Sequence, residues 1–154
     1  MSILVKALDQ GDIDIMHDEM RPMDRMEFAA MSSRPLATTL SEMLEKSEHA
    51  KAFYFDGKLV AIWGVMRRHV LCRTGHPWLA ATAEVTKPAV RRVFLKHGKE
   101  HAAMMTGDYD FWWNCVAEQN TIAIRWLKWL GFHFTGQEYV TKDVTFLYFE
   151  LKEE

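Results

Sequence analysis

The chain is short of cysteine, of glycine where it would be expected, and of long apolar runs. Its 154 residues contain only Cys72 and Cys115, at no framework spacing. That excludes a disulfide scaffold and makes a reducing, intracellular setting the expectation. No apolar run reaches the roughly 18–20 residues of a membrane span. The start, Met1-Ser2-Ile3-Leu4-Val5-Lys6, has no basic stretch leading into a long apolar one, so no signal peptide is expected. A net charge of −2 gives no whole-molecule field that would favour nucleic acid or anionic lipid. There is no repeat and no low-complexity tract. No glycine stands between Gly75 and Gly98.

What remains is an ordinary globular composition, 49% apolar and 26% charged, long enough for one domain over 1–154 with its own core. Hydrophobic periodicity predicts a strand over 3–8. A helical stretch over 9–31 breaks near Arg21-Pro22, because the residue before proline avoids the α region. A further helix is predicted over 35–46, with Leu36, Leu40, Met43 and Leu44 on one face. Phe55-Asp56-Gly57 between apolar runs signals a hairpin of 51–54 and 58–66. Strands follow at 79–85, 110–116, 132–134 and 144–151, with a turn at Lys142-Asp143. Helices are predicted at 88–105, opened by Pro88, and at 121–130. Strands interleaved with two crossover helices imply an α/β domain.

Several residues invite chemistry, and each has a plainer role beside it. His97-Gly98-Lys99-Glu100-His101 places two histidines on one helix face, as an inverted zinc-protease motif does. No third ligand is evident, Gly98 weakens the helix, and a solvated face is the simpler assignment, so no metal is expected. Cys115 in an apolar run reads as packed. Cys72, among Arg67, Arg68 and Arg73, has no histidine partner that sequence can assign. The same basic run reads as solvated strand ends rather than a nucleic-acid patch. Met16, Met20, Met23, Met26 and Met31 form either core or an adaptable partner-binding face. Asn120 is a natural N-cap for the helix that follows.

The run Phe111-Trp112-Trp113-Asn114-Cys115-Val116, then Asn120, a helix and Leu130-Gly131-Phe132, resembles the C-terminal half of the GNAT N-acyltransferase fold. The resemblance implies a mixed, mostly antiparallel sheet with flanking helices. It also implies an acyl-CoA site beside this unit, its pyrophosphate on backbone N–H groups at a helix N-terminus. The family signature there is Arg/Gln-x-x-Gly-x-Gly/Ala. Here Pro88-Ala89-Val90-Arg91 matches the start, but Phe94 and Lys96 stand where the small residues belong. The resemblance makes Val85, Arg91, Arg92 and Asn120 the candidate cofactor contacts and Glu84 the candidate catalytic base. Leu127 occupies the position where many members carry a tyrosine acid.

A narrower resemblance covers the same stretch together with Phe55-Asp56-Gly57-Lys58, Ala61-Ile62-Trp63-Gly64-Val65 and Pro77-Trp78. These are similar to the internal virion protein A family of T7-like short-tailed phages, which also lacks the glycine loop. It implies a phage-encoded protein of the host cytoplasm or the virion. Such a protein would act on a phage or host protein partner in virion assembly or infection, with no cofactor. The alternative is an acetyl-CoA-dependent N-acetyltransferase with a non-standard cofactor loop. The sequence leaves open whether the chain is an enzyme.

Overall fold

The computed structural model describes residues 1–105 and 108–152, with backbone alone for 103–105. Its strands are β1 (Ile3–Ala7), β2 (Glu48–Phe55), β3 (Lys58–Met66), β4 (Thr74–Ala81), β5 (Phe111–Ala117), β6 (His133–Thr141) and β7 (Val144–Lys152). Its helices are α1 (Gln10–Glu19), α2 (Pro22–Met31), α3 (Leu36–Lys46), α4 (Pro88–Met105) and α5 (Thr121–Trp129), with a 3-10 turn at Ala83–Thr86. One seven-stranded sheet runs β1-β2-β3-β4-β5-β7-β6, and β4 with β5 is its one parallel pair among the described residues. The mixed, mostly antiparallel α/β expectation holds.

Local chemistry explains the boundaries. Asp9 caps α1 in a reciprocal capping box with Asp12. Arg21 sits at φ −55°, ψ 140° before Pro22, which opens α2, so the helical stretch becomes two helices. Asp56 and Gly57 both take positive φ, as do Lys142 and Asp143, and each pair makes a tight hairpin turn.

Two strands differ from the sequence reading. β4 begins at Thr74 rather than 79, because pairing with β3 carries Gly75 and Pro77 into the sheet despite their poor strand propensity. It ends at Ala81, where Thr82 caps the amide of Glu84 (3.2 Å) and turns the chain into the 3-10 turn. β6 runs to Thr141 rather than 134. It is an exposed edge strand with a register shift between Phe134 and Glu138, so it shows no apolar alternation.

The sheet is covered on both faces. α1 and α3 pack Ile13, Met16 and Leu40 against Ala52, Ile62 and Ala80. On the opposite face α4 packs Val90 and Phe94 against Phe53, Trp63 and Val85. α5 packs Leu127 against Trp112, Val116 and Phe149. Met16 and Met20 are core, as one of the two expectations for the methionine cluster has it, whereas Met31 is 49% exposed.

The feature that positions the site is the parting of β4 from β5. They pair only at Thr74–Phe111 and Gly75–Trp112. Pro77 then offers no N–H, and two side chains take over the bridging. Asn114 Nδ2 donates to the Pro77 carbonyl (2.8 Å), and His76 Nδ1 lies 3.1 Å from the Trp113 carbonyl. Beyond these the strands separate.

Candidate functional site

Where β4 and β5 part, amides that a continuous sheet would satisfy need other acceptors. α2 supplies them. Asp24 Oδ2 accepts from Ala81 N at the end of β4 (2.7 Å), and Glu27 Oε2 accepts from Ala117 N at the end of β5 (2.8 Å). Arg21 N donates to the Ala81 carbonyl (2.8 Å). α2 thus spans the gap with one carboxylate on each strand.

These acids belong to a buried polar network centred on Asn120. Arg21 Nη2 donates to Asp24 (2.6 Å) and to Asn120 Oδ1 (3.1 Å). Asn120 Nδ2 donates to Glu27 Oε1 (3.0 Å), while Asn120 Oδ1 also caps α5 through Ala123 N (3.3 Å). Asn120 is 2% exposed. The capping role expected from sequence is present, joined to a bridging role that sequence did not show.

The network is electrostatically unbalanced. Burial raises the Asp24 carboxyl, and the Arg21 charge and the Ala81 amide oppose that rise. Among the described residues Glu27 has no ion pair of its own. Burial, helped by the charge of Asp24, pushes it up to about 7 against the hydrogen bonds from Ala117 and Asn120, and the Arg21 charge lowers it only slightly. A carboxyl that titrates near neutrality and lines a cavity is suited to accept a proton. Burial, with the Glu27 charge, also pushes the Cys115 thiol up to about 11, which fits its expected packed and unreactive character.

The cavity is the space left by the parted strands, about 280 Å³, and its lining comes from both faces of the sheet. On the α2 side lie Asp24, Glu27, Phe28, Met31, Met43 and Trp78. On the α5 side lie Trp63, Phe94, Trp112, Trp126, Leu127 and Phe132. The indole nitrogens of Trp112 and Trp126 are buried without a hydrogen-bond partner. An unmade bond of this kind costs about 1–3 kcal/mol, and Trp112 is 3% exposed, so bulk water does not satisfy it. Both nitrogens belong to residues that line the cavity, and no acceptor among the described residues reaches either of them.

The residues singled out in the sequence are dispersed. Glu84 lies in the 3-10 turn, 2.7 Å from Lys87 and 3.6 Å from Lys58, and the Lys87 contact holds its carboxyl below the usual range. It does not line the cavity. Val85 is packed beneath α4. Arg92 borders a surface depression with Lys96, Lys99 and Trp129. The Arg91 amide is already bound to the Lys87 carbonyl (2.9 Å). Asn120 and Phe94 reach the cavity.

Arg67 is tied to Glu48 (2.5 Å) and Arg73 to Asp110 (2.8 Å), so that basic run is partly neutralised. His97 lies 3.9 Å from Glu100, and no three metal-ligating side chains converge among the described residues. Sequence reasoning missed Arg21, Asp24 and Glu27. A signal was available: Asp24 and Glu27 share the i, i+3, i+4, i+7 stripe of α2 with Phe28 and Met31, so two acids sit on an apolar face.

No family model matches this sequence, and no curated protein matches it. Solved structures do resemble it. A GNAT-family acetyltransferase from Streptococcus pneumoniae superposes with a TM-score of 0.64 at 13% identity, covering 99% of this chain and 100% of that one. Spermidine N-acetyltransferase from Vibrio cholerae, in complex with CoA and spermine, gives 0.69 at 12%, covering 97% and 95%. A putative acetyltransferase from Salmonella typhimurium with acetyl-CoA gives 0.67 at 12%, covering 99% and 94%. The fold is that of the GNAT acetyltransferases.

Two of these neighbours hold CoA or acetyl-CoA, and the residues present here fit such a group in part. The open strand gap and the two orphan indole donors suit an acyl-pantetheine arm, whose carbonyl oxygens need donors. The diphosphate cradle is absent. α4 is already helical from Pro88, and Phe94, 3% exposed, stacks on Trp126 (5.6 Å) and meets Phe53 edge-on (5.4 Å). Gly98 lets this closure happen, since a Cβ there would lie 3.2 Å from Trp126 Nε1.

Proposed function

We propose that this chain is an N-acyltransferase that moves an acyl group from a pantetheine thioester such as acetyl-CoA onto a primary amine, all within one domain over 1–154. The observation that carries the reading is the cavity through the strand gap, with an unneutralised carboxyl on one side of the sheet and two orphan donors on the other. The bound thioester supplies the activated acyl carbon.

Trp112 and Trp126 hold acceptor oxygens of the donor arm. Arg91 and Arg92 face its phosphates through side-chain charge, in place of a backbone cradle, and Val85 supports that first turn of α4. Asn120 fixes Glu27. Glu27 takes a proton from the ammonium of the acceptor, and the freed nitrogen lone pair attacks the acyl carbon. The C–N bond forms, the C–S bond breaks with its electron pair going to sulfur, and the second proton leaving the nitrogen passes through solvent to that thiolate. Leu127 offers no acid for that last step. Glu84 is the weaker base, because Lys87 and Lys58 hold its carboxylate in the ionised, poorly basic form.

Thermal unfolding with and without acetyl-CoA tests this. Donor at about 100 times its dissociation constant adds about 2.7 kcal/mol. In a chain of this size that raises Tm by roughly 5–10 °C. No shift at several millimolar donor sinks the proposal.

One observation favours a second reading. Phe94 and Trp126 occupy the crevice where the family signature would place its cradle, as in a scaffold that has given up the cofactor. The protein would then be phage-encoded, in the host cytoplasm or the virion, and bind a phage or host protein in assembly or infection. It predicts no response to donor and co-purification with that protein from infected cells.

A further inference from the structure

The acyltransferase reading leaves the acceptor unnamed. We infer that the acceptor is a small primary amine with one positive charge on an apolar body of about one aromatic ring, seated on the α2 side of the cavity. Only the word acceptor rests on the acyltransferase reading; the binding preference stands on the cavity itself.

Charge sets the first limit. The α2 side presents two carboxylates, but Asp24 is already held by Arg21 at 2.6 Å and by the Ala81 amide at 2.7 Å. One negative charge, on Glu27, is left for a ligand. Among the described residues no other acid lines the cavity. A polyamine would bring a second ammonium into apolar surroundings without a counter-ion, which is costly.

Hydrogen bonding sets the second limit. The acceptor of a peptide would bring backbone amides that need partners. Besides the two acids and the indoles, which can only donate, the polar amide side chains lining the cavity are Asn114 and Asn120, and both are committed. Asn114 donates to the Pro77 carbonyl (2.8 Å) and accepts from Cys115 N (2.8 Å). Asn120 is tied to Arg21, Glu27 and the start of α5.

Size and lining set the third. The cavity that Glu27 lines is also lined by Phe28, Met31, Met43, Trp78 and Phe146, from four different elements. Aromatic and thioether surfaces favour a flat apolar ring. A dry cavity of about 150 Å³ holds benzene. The 280 Å³ here must also admit the acyl end of the donor. That leaves space within the cavity for about one ring.

The test is a titration of the full chain at pH 8, followed by intrinsic tryptophan fluorescence and by calorimetry. The probes are 2-phenylethylamine, spermidine, and a tripeptide that begins with alanine. The expected result is that 2-phenylethylamine binds at least tenfold more tightly than either of the others. Glu27→Gln should cut that affinity at least tenfold. The neutral isostere 2-phenylethanol should bind the wild type at least tenfold more weakly, which tests the charge without relying on a folded variant. Spermidine or the peptide binding as tightly overturns the inference, and so does the absence of 2-phenylethylamine binding. Tight 2-phenylethylamine binding with no acetyl transfer supports the inference and overturns the acyltransferase reading. Transfer to spermidine instead overturns the inference and leaves that reading standing.

Discussion

Replacing Asn120 separates two roles that one side chain performs. Ser is as good an N-cap as Asn, so Asn120→Ser keeps the start of α5. Its hydroxyl is too short to span Arg21 and Glu27, so the bridge is lost. Asn120→Ala loses both. The cap is worth about 1 kcal/mol. The bridge comprises two hydrogen bonds to charged partners, at 3.0 and 3.1 Å, in a site where Asn120 is 2% exposed. Bonds to charged groups contribute about 1.5–3 kcal/mol each. Glu27 keeps its Ala117 amide and Arg21 keeps Asp24, which offsets part of the sum and brings the combined loss to its lower limit or just below, about 2–3 kcal/mol. Urea unfolding followed by circular dichroism should therefore show Asn120→Ser destabilised by about 2–3 kcal/mol and Asn120→Ala by about 3–4. A serine variant as stable as the wild type would show that Asn120 is a cap and nothing more, and the network argument would fall.

The pH dependence of stability should carry Glu27's signature. Its folded carboxyl is raised from 4.5 to about 7, so between those values the folded state binds more protons than the unfolded one. Stability from this group is therefore full below the unfolded value and declines as pH rises through the folded one, by about 3 kcal/mol at 1.36 kcal/mol per pKa unit. Glu27→Gln should flatten that decline, and an equal slope in both proteins refutes it. Phe94→Ala should cost about 3–5 kcal/mol in the same unfolding assay, because the ring is buried between α4, α5 and the sheet. A loss below 1 kcal/mol would mean the crevice is not packed as described. Under alkylation at pH 8, Cys115 should react far more slowly than Cys72, since its thiol is pushed up to about 11. Peptide mapping with equal labelling of both would contradict its burial.

Much of the fold could be read from local pattern. Pro88 opening a long helix, the Asp56-Gly57 and Lys142-Asp143 turns, and Asn120 ahead of an amphipathic segment are short-range chemistry, and each lies where expected. The order of elements followed from these, and with it the mixed sheet. β4 and β6 were misjudged because their boundaries depend on neighbours: β3 holds Gly75 and Pro77 in register, and β7 holds a polar edge strand.

The site was less legible. The sequence by itself determined that no glycine cradle opens α4, since Phe94 and Lys96 are covalent facts. It also determined that Asn120 caps α5. Only the tertiary structure decided what Glu27 is. Its raised carboxyl arises from burial at the gap between β4 and β5 and from the charge of Asp24, opposed by the Ala117 amide, by Asn120, 93 residues away, and by an arginine already spent on Asp24. Desolvation and charge balance are properties of a three-dimensional neighbourhood. A residue's type sets which proton it can carry, and its surroundings set the pH at which it lets that proton go.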